Sequence, residues 1–150
     1  MVIIGSDHSG IKYKEEIIEE LKEENIEYID VTQKNDPNDD YPDIANIICK
    51  KVLEDKRNYG IAICGTGIGI SIACNKINGI RAAVCTDEYM AKMSRVDNDA
   101  NVLCLGARLE VASDINKCKK IVQAFLYNEF GAGRHERRVN KIMDLEKGGK

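Results

Sequence analysis

Five short apolar runs set the terms for this chain: residues 2–5, 26–31, 59–64, 80–85 and 101–105. They are continuous rather than alternating, so each belongs to a strand covered on both faces, as in a parallel sheet. Amphipathic stretches separate them. Ile11, Ile17, Ile18 and Leu21 fall near a 3.6-residue period among Lys and Glu, which makes residues 11–25 a helix. Residues 32–41, with Asn, Asp and Pro37, read as a loop. Pro42 suits the first turn of a helix over residues 42–56. Further helices are expected to about residue 76, over 88–96 and over 111–130, the last ended by Gly131-Ala132-Gly133. A final helix covers 136–146, and residues 147–150 fray. Regular strand–helix alternation gives an α/β fold: a doubly wound, Rossmann-like three-layer sandwich on a five-stranded parallel sheet. At 150 residues the chain is one domain, 1–150, with 131–150 as a C-terminal helical extension.

Composition removes several classes. No apolar run approaches the roughly 20 residues of a membrane helix. The 22 basic and 25 acidic residues leave a net charge of −3, with no global attraction to nucleic acid or anionic membrane. The N-terminus opens directly on a strand-like run without a signal-peptide pattern, so the expected location is cytoplasmic. The six cysteines lack the close pairing of zinc or redox motifs, and there are two histidines, so no metal or other cofactor is expected.

In doubly wound folds, ligands bind beyond the carboxyl ends of the strands. The turn Gly65-Thr66-Gly67-Ile68-Gly69 follows the third strand. Its glycines permit positive φ and close approach of a ligand, and the following helix start presents N–H groups to an anion. It is neither the dinucleotide fingerprint, since Ile70 stands where a third glycine belongs, nor a P-loop. Cys64 ends the strand before this turn, a position that favours thiolate, although a buried core cysteine also fits. Asp7 and His8 end the first strand, where they can bind a phosphate or move protons, or simply cap a helix. Arg134 and Arg138 share a helix face suited to a phosphate monoester, or form a solvated basic helix end. Asp97-Asn98-Asp99-Ala100-Asn101 reads first as a loop, and Arg108 after the fifth strand is another anion ligand.

Together these blocks resemble a known family. They are Gly5-Ser6-Asp7-His8-Ser9-Gly10, Asp40-Tyr41-Pro42, Cys64-Gly65-Thr66-Gly67-Ile68-Gly69, Asn98-Asp99-Ala100-Asn101 and Gly133-Arg134-His135. The sequence resembles the B-type ribose-5-phosphate isomerases, in the family that also contains galactose-6-phosphate isomerase subunits, over about residues 1–145. The resemblance implies a sugar-phosphate isomerase domain that works without a metal. Cys64 would be the base moving the C2 proton to C1 through an enediolate. Gly65, Gly67 and Gly69 amides would hold the oxyanion, and Thr66 would stand near O1 and O2. Asp7 and Tyr41 would contact the sugar, and Asn98 would be among the substrate-binding residues. His8, Arg108, Arg134 and Arg138 would bind phosphate. The implied partner is a small sugar phosphate, and a homodimer or homotetramer with composite active sites is implied.

One departure stands out. Many relatives carry a histidine before the Asn-Asp pair that opens the furanose ring; here that residue is Asp97, a catalytic candidate whose carboxylate can accept the ring hydroxyl proton, with participation of His8 or ring opening in solution as the alternatives. The substitution leaves the sugar open between ribose 5-phosphate and allose 6-phosphate, galactose 6-phosphate or a free rare aldose. Two other readings use the same residues: a non-catalytic nucleotide- or phosphate-binding module, and a thiol enzyme acting covalently through Cys64.

Overall fold

Alternate residues of each apolar run point to opposite faces of a sheet, and here both faces find a core. The computed structural model describes residues 1–34 and 36–148. Its strands are β1 (Val2–Ser6), β2 (Tyr28–Asp30), β3 (Tyr59–Cys64), β4 (Ala82–Val84) and β5 (Val102–Gly106). All pairings are parallel, in the order β2-β1-β3-β5-β4. The helices are α1 (Ile11–Glu23), α2 (Tyr41–Val52), α3 (Ile68–Cys74), α4 (Glu88–Val96), α5 (Ile115–Tyr127) and α6 (Arg134–Leu145). The expected doubly wound α/β sandwich on a five-stranded parallel sheet is present. Among the described residues no helix is long and apolar enough to cross a membrane.

The two faces are built differently. Ile4, Ile61, Ile63, Leu103 and Leu105 project into one core with Tyr13, Ile17 and Leu21 of α1 and Ile121, Val122 and Phe125 of α5. Ile3, Ala62, Cys64, Val102 and Cys104 project into the other, against Ile44 and Ile48 of α2 and Ile70 and Cys74 of α3. The second face is lined with smaller side chains. A Cβ on Gly60 would stand 3.0 Å from Val102 and 3.1 Å from Ile48, so α2 lies close against the strands.

Several boundaries differ from the sequence reading. The helix expected over residues 111–130 is two elements: a 3-10 turn at Glu110–Ser113, then α5. Asp114 makes the break. Its carboxylate accepts from the Asn116 and Lys117 amides, capping a new helix where apolar periodicity alone continued the old one. α6 starts at Arg134, two residues before the expected Glu136. α2 includes Tyr41 and stops at Val52, short of residue 56. The edge strands β2 and β4 are shorter than their apolar runs, because each has a neighbour on one side only. Residues 149 and 150, part of the stretch expected to fray, lie outside the described residues.

One buried ion pair locks the first-strand end. Lys14 of α1 is 3% exposed, and its Nζ donates to both Asp30 carboxylate oxygens, at 3.0 and 2.8 Å, and to the Thr32 carbonyl at 2.8 Å. Thr32 Oγ1 in turn accepts the Ser6 amide at 3.1 Å. The network therefore ties α1 and the β2 exit to the last residue of β1. Removing one partner of a buried pair strands the other charge away from water. Lys14→Met is expected to lower unfolding free energy by about 3–5 kcal/mol, read as a shift of the urea midpoint at unchanged slope.

Candidate active site

The chain leaves β1 toward β2 on one side, and β3 lies on the other, so the crevice between the carboxyl ends of β1 and β3 is a topological switch point. The Asp7 amide donates to the Ile63 carbonyl at 3.1 Å, which brings the Asp7-His8 segment beside the glycine turn. A cavity of about 350 Å³ opens there, lined by Asp7, His8, Tyr41, Cys64, Thr66 and Arg108 with Ser9, Gly65 and Gly69.

Cys64 points to the small-residue face and is 4% exposed. The Gly67 amide donates to its Sγ at 3.2 Å. The Thr66 Oγ1 accepts the Ile68 amide at 3.2 Å, and the Ser71 amide donates to the Gly67 carbonyl. The Gly69 and Ile70 amides, at the first turn of α3, find no acceptor among the described residues. They remain donors for a ligand oxygen.

The three glycines of this turn do different things. Positive φ is needed at Gly67 alone, with φ 77° and the Leu105 carbonyl carbon 3.0 Å from where a Cβ would stand. Gly65 and Gly69 are required by close approach instead. A Cβ on Gly65 would meet the Arg108 guanidinium at 3.1 Å, and one on Gly69 would meet the Tyr41 ring at 2.7 Å. The expectation of positive φ at all three is corrected to this division. The Arg108 backbone also donates to the Gly65 carbonyl, so guanidinium and turn form one unit.

Asp7 is buried, and its carboxylate accepts from the Ser9 amide and hydroxyl. It both caps the 3-10 turn at His8–Gly10 and lines the cavity. His8 is exposed, with Nδ1 2.8 Å from Asp39 Oδ1, which also accepts the His8 amide at 3.0 Å. This hydrogen bond raises the His8 pKa from its usual 6.5, with the charge of Asp7 adding and that of Arg108 opposing. Asp39 escaped the sequence reading because it sat in a loop of many Asx residues; its two bonds to His8 distinguish it.

The remaining expected site residues lie elsewhere in the same chain. Asp97 caps the end of α4, Asn98 follows it, and Arg134 and Arg138 sit exposed on α6. All are grouped at the amino ends of the strands, where Arg81 and Asn101 bond to one another before β4 and β5. That is a strand length, roughly 15 Å, from Cys64. Within one chain the expected set is therefore two groups. The other cysteines do not line this cleft; burial pushes the Cys85 thiol up to about 11 and raises that of Cys118, while hydrogen bonds from Cys104 and Cys49 lower that of Cys74. Among the described residues no three His, Cys, Asp or Glu side chains gather as a metal-binding group.

Comparison with known proteins decides the family. The family model described as Ribose/Galactose Isomerase matches residues 2–142. The chain belongs to the ribose/galactose isomerase family. It is 41% identical over 145 residues to ribose-5-phosphate isomerase B of Escherichia coli, covering 97% of this chain and 95% of that protein. Among solved structures it is similar to ribose-5-phosphate isomerase B of Clostridium thermocellum, with a TM-score of 0.90, 46% identity and 99% of each chain covered. It is equally similar in fold to the Mycoplasma genitalium enzyme with bound ribulose-5-phosphate, at a TM-score of 0.90 and 40% identity, covering 97% of this chain and 95% of that one.

The His8–Asp39 contact has a measurable consequence. A raised pKa keeps the imidazolium charged at pH values where a free imidazole has lost its proton. An NMR titration is expected to give His8 a pKa above 6.5, and Asp39→Asn is expected to return it toward that value. A phosphate ligand should then bind more weakly as pH rises through the His8 pKa, and the fall should begin at lower pH in the variant.

Proposed function

We propose that this family member interconverts ribose 5-phosphate and ribulose 5-phosphate through an enediolate, with Cys64 as the base. The observation that carries the reading is the cleft at the β1–β3 switch point. It combines a strand-end thiol, open amides of the following turn, and the two cationic groups His8 and Arg108.

The chemistry follows from that arrangement. His8 and Arg108 hold one end of a phosphorylated sugar, so binding energy at the phosphate orients carbons remote from it. Cys64, as thiolate, takes the C2 proton. The electron pair left behind forms the C1–C2 double bond, and charge collects on the carbonyl oxygen. Turn amides meet that oxygen, and a single preorganised donor of this kind contributes about 2.7–4 kcal/mol in a well-studied case. In this reading Thr66 Oγ passes a proton between O1 and O2, and the thiol returns its proton to C1. Asp7, Tyr41 and Asn98 contact the sugar hydroxyls.

Completion of the site by a second copy is part of the proposal. Ile68 and Ile72 are 56% and 57% exposed on α3 beside the cleft, and Ile142 and Leu145 are exposed on α6. Burying these apolar faces against one another is a driving force for association. A homodimer that brings α6 of one protomer to the cleft of its partner delivers Arg134 and Arg138 to the phosphate, with Asp97 and Asn98 at the sugar. Such a dimer, or a tetramer built from it, acts as a soluble cytoplasmic enzyme on a small sugar phosphate.

The decisive experiment is turnover of ribose 5-phosphate against allose 6-phosphate by the wild-type protein. Conversion of the pentose supports the reading, preference for the hexose moves the substrate, and no turnover of any aldose phosphate rejects it. Cys64→Ala is expected to reduce turnover by about 10²–10⁴-fold with the melting temperature little changed, the scale of a lost general base. Wild-type activity in that variant rejects Cys64.

A further inference from the structure

Ribose 5-phosphate is a furanose hemiacetal in water, and its C2 proton becomes acidic only after the C1–O4 bond breaks. That step needs a group that takes a proton from O1 and supplies one to O4. Imidazole is matched to this at neutral pH, whereas an ordinary carboxylate is a weak base there. The chain holds two imidazoles. His8 Nδ1 is taken up by Asp39 in the cleft of its own chain, and that bond raises its pKa and favours the imidazolium that an anion ligand uses.

His135 is set differently. Its Nε2 stands 3.3 Å from Asp97 Oδ1, with the imidazole 16% and the carboxylate 39% exposed. The backbone builds this meeting. The Gly131 amide donates to the Val96 carbonyl at 2.9 Å, and a Cβ on Gly131 would stand 3.1 Å from that oxygen. Ala132 and Gly133 follow at φ 49° and 54°, turning the chain sharply into α6. Buried Val139, one helical turn beyond His135, anchors the same side of α6, while Arg134 and Arg138 remain exposed. The pair thus borders the two arginines assigned above to the phosphate.

We propose that His135 is the ring-opening catalytic residue and Asp97 its positioning residue. The inference rests on the composite isomerase site above. With Nε2 in ion-pair range of Asp97 at 3.3 Å, Nδ1 is the nitrogen left for substrate. Nδ1 takes the O1 proton, the O1 electron pair forms the C1 carbonyl, and the C1–O4 bond breaks onto O4. The imidazolium, beside the Asp97 carboxylate, then gives that proton to O4. No net proton or electron is consumed, and the open-chain aldehyde is ready for Cys64. In this arrangement a carboxylate at position 97 keeps an imidazole in the ring-opening step by holding one from α6.

The test uses His135→Gln and Asp97→Asn in the full-length protein, with two readouts. One is turnover of ribose 5-phosphate. The other is the Kd of an open-chain phosphorylated hydroxamate that mimics the enediolate and has no ring to open. The expected result is a fall in turnover of about tenfold or more for both variants, with hydroxamate affinity within about twofold of wild type. His135→Gln at the wild-type rate overturns the proposal, leaving Asp97 to act alone. Parallel loss of turnover and hydroxamate binding also overturns it, because the role is then structural or in phosphate binding. A loss in His135→Gln but not in Asp97→Asn removes the positioning role. Failure of the isomerase reading itself is separate: the wild-type protein would then neither turn over the sugar nor bind the hydroxamate.

Discussion

The parallel pairing of β1 with β3 holds the cleft together. It runs from Val2 against Tyr59 to Ser6 against Ile63, and one further bond carries it into the Asp7 amide. The next residues on each strand are functional ones, so their relative position is set by the ladder and not by flexible loops. A slip of one residue would move Cys64 to the opposite face of the sheet, away from the Gly67 amide that meets its sulfur. The large aliphatic side chains of the other core oppose such a slip, because each would have to exchange faces.

Much of this was readable from the amino acids. Continuous apolar runs announced a buried parallel sheet, and β3 and α4 fall where the pattern put them, at Tyr59–Cys64 and Glu88–Val96. The glycine turn marked the cleft because few other residues tolerate such crowding. What pattern could not show was the identity of the crowding groups. Arg108 over Gly65 and Tyr41 over Gly69 come from distant segments. Asp114 was invisible as a helix break because its effect depends on which amides its carboxylate reaches. Asp39 and the Lys14–Asp30 pair were hidden for a related reason: their partners are set by tertiary contact, and their residue types alone resemble ordinary surface charge.

The division of polar groups between the two ends of the sheet was also beyond the sequence. Spacing on a helix joins Arg134 to Arg138 but does not say which end of the strands they occupy. The structure puts them beside the end of α4, through the Gly131–Val96 bond, while His8 and Arg108 stay at the carboxyl ends. A chain with both halves of a charge pattern at opposite ends, and exposed isoleucines near each, has the makings of self-complementarity.

The unequal faces of the sheet also bear on how such a protein can diversify. The thiol stands on the side where Gly60 and Ala62 leave no space between strands and helix. Enlarging the floor beneath it would push α2 outward and carry Tyr41 off the turn. The floor is therefore rigid to redesign, and new substrate shapes have to be accommodated in the walls: the loop carrying Asp39, the segment after β5, and whatever a neighbouring subunit contributes. An engineer seeking a longer sugar should randomise those rims and leave the strand-end residues untouched.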